Sequence, residues 1–224
     1  MWPRPGDGAR PRGRGGDNGR MSLRNALLAL LTARPLTAYD ISKQFGASVG
    51  YVWFAPDSQI YPQLRRMEEE GLVEATELPS EGRRTKREYR ITDEGVRAFR
   101  EWINAPASHQ RERSVHHLRA AYLEWAETDE ARRNMERHIA FYREQLAQWE
   151  AQRAALLDRS SPTLAARLAG SPPEQHERIV AFKVFTYDGL IERARSEIAW
   201  AERGLELIEE MAAEPTPAPV HARA

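Results

Sequence analysis

Apolar residues recur every three or four positions through most of this chain, and the breaks in that rhythm divide it into elements. Leu23, Ala26, Leu27, Leu30 and Leu31 predict a first helix over about 22–33. Ser22 caps it, and Arg34-Pro35 ends it because a residue before proline avoids the helical region. Thr37 caps a second helix over about 38–45, which buries Ile41, Phe45 and part of Tyr39. The connector 46–56 holds Val49, Tyr51, Val52, Trp53 and Phe54, so many apolar groups that it must pack on the core or on a partner. Residues 57–71 read as a third helix with one apolar edge, Ile60, Leu64 and Met67. Two strands follow, 72–78 and about 84–91, around a polar turn at 79–82. Thr92 caps a fourth helix with Val96, Phe99, Trp102 and Ile103 on its inner face.

Beyond residue 106 the strand signals stop and the pattern is almost wholly helical. A helix near 115–127 carries Val115, Leu118, Tyr122 and Trp125. Asp129 caps a long helix to about residue 157, with Met135, Ile139, Tyr142, Leu146, Trp149 and Leu156 at alternating spacing and Arg153 interrupting the stripe. Residues 160–173 form a connector with one helical turn at 164–168. A last long helix, about 173–211, keeps a 4-3 rhythm through Val180, Val184, Tyr187, Ile191, Ala194, Ile198, Ala201, Leu205 and Ile208. This seam has two readings. It closes a hairpin with the 129–157 helix, or it pairs with a second copy. A hairpin alone leaves a thin two-layer structure, so the dimer is the reading adopted, with Val184, Tyr187, Ile191, Ile198, Leu205 and Ile208 as its contacts.

The pattern thus predicts a mainly α chain: an N-terminal winged helix-turn-helix with a two-stranded wing, then a C-terminal antiparallel long-helix dimerisation domain. The domains run 1–20 (a disordered basic extension), 21–106 (winged helix), 107–212 (helical) and 213–224 (a disordered Pro/Ala-rich tail). Met21 stands as an alternative start.

The chemistry concentrates on the third helix and the hairpin. Opposite the apolar edge stand Ser58, Gln59, Tyr61, Gln63, Arg65 and Arg66. Amides and guanidinium groups near a helix N-terminus can bond two acceptors of a base edge at once. Gln59 and Gln63 suit adenine, and Arg65 or Arg66 suits guanine or a phosphate; Tyr61 reaches a phosphate or packs under the wing. Pro62 sits in the first turn, where its missing N–H costs no hydrogen bond. Residues 83–90 hold five basic residues and one Glu, and Arg83, Arg84, Lys86 and Arg87 are the expected wing contacts. Glu68, Glu69 and Glu70 point away from DNA as a solvated face. The plainer reading is an amphipathic surface helix followed by a solvated hairpin.

Charge changes the picture only locally. Lys plus Arg equals Asp plus Glu at 33 each. The first twenty residues carry five Arg against two Asp, and 21–105 carries twelve of each sign. Residues 106–224 carry sixteen basic against nineteen acidic. A patch that contacts a few phosphates needs no more than this. No cysteine is present, which excludes disulfides, thiol catalysis and cysteine-ligated zinc and fits a reducing cytoplasm. No apolar run is long enough for a membrane span, and the N-terminus lacks the apolar centre of a secretory signal. His109, His116, His117 and His138 lack metal-ligand spacing and read as surface residues. No catalytic constellation stands out, so neither an enzyme nor a cofactor is expected. Tyr51, Trp53, Phe54, Tyr122, Trp125, Trp149 and Tyr187 line an aromatic ligand pocket or, more plainly, pack cores and interfaces.

Three blocks carry a resemblance. They are Leu30-Leu-Thr-Ala-Arg-Pro-Leu-Thr-Ala-Tyr-Asp-Ile-Ser-Lys43, then Ser58-Gln-Ile-Tyr-Pro-Gln-Leu-Arg-Arg-Met-Glu-Glu-Glu-Gly-Leu-Val73, then Gly82-Arg-Arg-Thr-Lys-Arg-Glu-Tyr-Arg-Ile-Thr-Asp-Glu-Gly95. From about residue 27 to 102 the chain resembles the PadR family of transcriptional regulators. Ile60-Tyr-Pro-Gln-Leu is the most specific marker, and the C-terminal half resembles the helical region of longer, AphA-like members. Ala38 departs from a common Gly, and the wing reads Gly-Arg-Arg-Thr-Lys where Gly-Arg-Pro-Arg-Lys is usual. The resemblance implies a homodimeric repressor, or sometimes activator, on an inverted repeat of double-stranded DNA, with a small aromatic or phenolic effector in some members. A helical scaffold protein whose winged helix binds protein is the rival from another class.

Overall fold

The structure is a computed structural model, and it describes residues 17–47, 55–79, 86–107 and 113–213. The elements run α1 (Asp17–Leu31), β1 (Leu36–Thr37), α2 (Ala38–Ala47), α3 (Asp57–Glu69), β2 (Val73–Leu78), β3 (Lys86–Ile91), α4 (Asp93–Asn104), α5 (Val115–Ala120), α6 (Thr128–Leu157), α7 (Pro162–Ala169) and α8 (His176–Ala213). Single 3-10 turns at Leu123–Trp125 and Pro173–Gln175 interrupt the helical half. Contacts divide the chain into two compact units, Met1–Pro106 and Ala107–Ala224.

In the first unit, Leu27, Leu28 and Leu31 of α1 meet Leu36, Ile41, Ile60, Leu64 and Met67 in a core that excludes water from all of them. α1 starts at Asp17, so Ser22 lies inside the helix instead of capping it, and the expected extension 1–20 ends in helix. Thr37 does cap α2: its Oγ1 accepts from the Asp40 amide at 3.1 Å and donates to the Asp40 carboxylate at 2.7 Å. The sheet has the order β1-β3-β2. β2 and β3 pair antiparallel from Val73 with Ile91 to Leu78 with Lys86. The two-residue β1 was not expected; it pairs Leu36 with Tyr89 because β3 would otherwise present a bare edge.

One junction places α3 against the β2–β3 hairpin. Gly71, at φ +72°, ends α3 in the left-handed region. The Leu72 amide bonds Met67 O at 2.9 Å and the Gly71 amide bonds Glu68 O at 3.0 Å, which satisfies the last carbonyls of the helix. Thr92 then ties the turn to α4. Its amide donates to Leu72 O, its hydroxyl donates to Gly71 O at 2.7 Å, and its oxygen accepts from the Gly95 amide at 3.1 Å. α4 departs from expectation at its end: Val96 and Phe99 are half-buried, but Trp102 and Ile103 are exposed, Trp102 lying against the Phe99 ring at 5.8 Å between centroids.

The second unit is built on the pair α6 and α8. Ion pairs run Arg143–Glu202, Glu150–Arg195, Arg153–Asp188 and Arg159–Glu177, so the two helices are antiparallel. Ala131, Met135, Ile139, Ala201 and Ile208 form a core cluster, and Ile198 and Leu205 pack on it. Ser161 caps α7, whose Leu164 and Leu168 are buried. The segment expected as one helix over 115–127 is α5 plus a 3-10 turn, with Val115, Leu118, Tyr122 and Trp125 exposed. α6 starts at Thr128, with Glu127 at its cap and no capping hydrogen bond, so Asp129 is an N-terminal acid and not the cap.

Candidate nucleic-acid interface

α3 owes its orientation to both ends and to one face. Ile60, Leu64 and Met67 are fully buried and fix which side faces outward. At the start, the Ser42 hydroxyl of α2 donates to the Asp57 carboxylate, which locks the second helix of the helix-turn-helix to the third. Ser58, Gln59, Tyr61, Pro62, Arg65 and Arg66 are all exposed. Pro62 lies inside the helix, past its first turn. Its missing N–H leaves the Ser58 carbonyl without the usual helical donor, on a face where water or a base edge can supply one.

Gln63 is a correction. It is only 8% exposed and belongs to the inner face, so it does not project toward bases with Gln59. Its spacing was the available signal: three residues after Ile60 and four before Met67 is the buried edge of a helix. Tyr39 of α2 moves the other way. It was expected to be partly buried, and it is 70% exposed.

The cations divide into held and free. Arg66 Nε donates to Glu70 at 2.8 Å, and the same carboxylate takes Arg24 of α1 at 3.1 Å. Arg87 Nη2 of β3 donates to Glu68 at 2.7 Å, with its guanidinium 5.7 Å from the Tyr89 ring centroid. Desolvation opposes the charge on Arg87, but Tyr89 and Glu68 outweigh it and raise its pKa. Two of the three glutamates are therefore structural partners and not a solvated face; Glu69 is exposed and makes no ion pair among the described residues. Arg65 is exposed, and neither it nor Lys86 at the end of the ladder makes an ion pair among the described residues. Arg83 and Arg84 lie outside the described residues, as do Tyr51, Trp53, Phe54 and His109.

In the helical unit the dimerisation residues are accounted for within one chain. Val184, Tyr187, Ile191 and Ile208 are buried, and Ile198 and Leu205 pack on the core cluster shared with α6. The seam assigned to a partner therefore closes the intrachain pair. Trp149 and Tyr187 are core residues, while Tyr122 and Trp125 are exposed. The indole N–H of Trp149 is buried and has no acceptor among the described residues. His138 is not a surface residue: it is 6% exposed, bonds Glu197 at 3.0 Å, and meets the rings of His116, Tyr142 and Trp200. Among the described residues no group of three or more His, Cys, Asp or Glu could hold a metal ion. No helix there is long and apolar enough to cross a membrane.

Comparison with known proteins gives consistent matches. A family described as transcriptional regulator PadR-like matches residues 27–101. A probable transcriptional regulator of Mycobacterium tuberculosis is 37% identical over 91 residues, 41% of this chain and 48% of that protein. The negative transcriptional regulator PadR of Bacillus subtilis is 33% identical over 81 residues, 36% of this chain and 44% of that protein. These alignments span about half the length of the two curated relatives. The same Bacillus protein, solved with operator DNA, superposes with a TM-score of 0.65 at 23% identity over 84% of this chain and 99% of its own. Solved with p-coumaric acid, it gives 0.58 at 22% identity over 85% and 97%. The Vibrio cholerae virulence activator AphA gives 0.61 at 26% identity over 84% and 99%. The likeness in fold thus extends through both units, while the family match covers the first. Residues 27–101 are thus similar to the PadR-like family of transcriptional regulators, and both curated relatives are named as transcriptional regulators.

Proposed function

We propose that this chain is a sequence-specific DNA-binding repressor that acts as a homodimer on an inverted repeat. One observation carries the reading: α3 buries Ile60, Leu64 and Met67 completely and turns Ser58, Gln59, Tyr61 and Arg65 outward. That face offers a bidentate amide from the first turn of α3 and, nearly two turns on, a guanidinium with no ion pair among the described residues. The wing ladder beside it ends in the exposed Lys86. Bacillus subtilis PadR, named a negative regulator and solved on operator DNA, supports both the DNA target and the sign of regulation. Its complex with p-coumaric acid supports release by a small aromatic compound.

The dimer rests on the face of α8 that α6 leaves bare. Phe182, Phe185, Leu207 and Met211 are each more than half exposed, on the side opposite Val184, Ile191 and Ala201. Between them Gly189 has open space where a Cβ would stand, so a second helix can approach closely. Burying one such Phe, Leu or Met side chain stabilises association by about 1.5–3 kcal/mol. A second copy of α8 fits this stripe, since a two-fold axis meets it with itself.

Selection of random duplexes by the purified chain tests the function. Enrichment of an inverted repeat with half-sites about one helical turn apart is expected. Equal binding of selected and random duplexes would overturn it and leave the protein-binding scaffold. Sedimentation tests the dimer: Phe185→Asp with Leu207→Asp is expected to give a folded monomer, and a monomeric unaltered chain refutes it.

A further inference from the structure

The last turn of α3 ends in Glu68, Glu69 and Glu70, where a helix least favours carboxylates. The negative end of the helix dipole repels them, and they repel one another. Two of the three are matched by arginines from three different elements. Glu70 takes Arg66 of its own helix and Arg24 of α1; Glu68 takes Arg87 of β3. Glu69 has the same charge and sits between them, but has no ion-pair partner among the described residues. Two of the three held arginines, Arg66 and Arg87, belong to the surfaces that the proposed function turns toward DNA. The Arg87–Glu68 bond also ties the wing strand to the recognition helix.

We propose that Glu68 and Glu70 are positioning residues that set the selectivity of DNA binding, an inference that rests on the DNA-binding reading above. By holding Arg87 and Arg66 they withhold two cations from indiscriminate phosphate contact. They also fix the wing at the angle that the operator alone rewards. Random duplex gains from every free arginine, because each phosphate it neutralises releases counterions. Operator gains less from a loosened arginine, because its affinity depends on the wing and helix keeping one relative orientation. The paired carboxylates therefore lower affinity for random DNA more than for the operator.

The test compares Glu68→Gln, Glu70→Gln and Glu69→Gln in the full chain, on its selected duplex and on random duplex, across a salt series. Glutamine keeps the acceptor oxygen and the size, and circular dichroism monitors folding. Each variant removes one negative charge from the same helix turn. Glu68→Gln and Glu70→Gln are expected to steepen the log–log salt slope on random duplex by about one, and to raise its affinity about 8-fold near 0.1 M salt. The ratio of selected to random binding falls accordingly. Glu69→Gln changes the slope little, and adding Arg87→Gln to Glu68→Gln restores the original slope. If all three variants shift slope and ratio alike, the effect is charge alone and the proposal fails. Parallel loss of both affinities with loss of helicity also overturns it. An unaltered chain without any selectivity would instead sink the DNA-binding reading, and this inference with it.

Discussion

Gly95→Ala puts the junction of α3, β2 and α4 to its sharpest test. A Cβ at this position would lie 2.1 Å from the Leu72 carbonyl oxygen and 2.8 Å from Ile91 Cγ1, where real contacts essentially never fall under 3.0 Å. The obstruction is backbone, so no side-chain rotation relieves it. Moving α4 or the Leu72 turn by about 1 Å weakens the Thr92 amide bond to Leu72 O and the Thr92 cap on Gly95. Overpacking of this kind costs about 1–3 kcal/mol, and a lost cap adds about 1 kcal/mol. The expected destabilisation is on the order of 2–4 kcal/mol. For a domain of this size it lowers Tm by on the order of 10–25 °C. Urea denaturation followed by circular dichroism measures it, with DNA binding assayed below the transition. Selective DNA binding is expected to fall as well, since the displaced turn carries the end of α3 and the start of β2. Gly71→Ala is a graded control. It meets no atom within 4 Å but keeps φ at +72°, so it costs only the left-handed strain, about 1–2 kcal/mol. A Gly95→Ala variant within about 0.5 kcal/mol of the unaltered chain would refute this account of the junction.

Three further outcomes follow from side-chain placement. Gln59→Ala is expected to lose about 1–3 kcal/mol of discrimination at one base pair per half-site in a competition assay, whereas Gln63→Ala, being buried, lowers stability and leaves base preference intact. Lys183, on α8, has its pKa lowered by desolvation and then by Arg167; between that lowered pKa and the ordinary lysine value the unfolded chain holds the proton more readily, so stability rises as pH climbs through that window. Lys183→Met is expected to raise the urea midpoint at pH 7 and flatten that rise, and an unchanged slope between pH 7 and 10 refutes it. Planar phenolic acids are expected to quench tryptophan fluorescence and to bind more weakly with operator present, by the factor they weaken DNA; quenching indifferent to operator means binding without regulation.

Much of the winged-helix unit was legible because its signals are local. Thr37 and Thr92 cap the helices the sequence assigns to them, and the polar turn at 79–82 separates the two wing strands. Arg66 with Glu70 is an i,i+4 pair, readable without a structure. Arg87 with Glu68 is not, because nineteen residues separate them and only the folded hairpin brings them together. Gln63 and His138 were misplaced for a common reason. Each stands on the edge of an apolar stripe, at three or four residues from buried neighbours, and residue type was weighed above position. β1 has no local signature at all, since two residues become a strand only when β3 lies alongside.

The long stripe of α8 shows why periodicity cannot name a partner. A 4-3 repeat states that one side of a helix is covered for many turns, and the covering helix can come from either chain. What decides is the match of a second stripe in the same molecule. α6 presents Met135, Ile139, Trp149 and Leu156, all buried, in the opposite direction. Charges flanking the two stripes are complementary at Arg143–Glu202, Glu150–Arg195 and Arg153–Asp188, a pattern already written in the sequence. Closing the connector between them costs a loop entropy that grows only slowly with length, whereas a partner chain also loses translational and rotational freedom. The intrachain pair therefore forms first. A second copy must use another face, and the side of α8 with Phe182, Phe185, Leu207 and Met211 is left exposed. The proposed dimer thus survives the loss of its original seam by moving half a turn around the same helix. Ile191→Asp consequently separates the two faces. It places a charge inside the intrachain pair and is expected to unfold the helical unit, while Phe185→Asp leaves the unit folded and disperses the dimer. If Ile191→Asp gave a folded monomer instead, the covered face would be the one between copies.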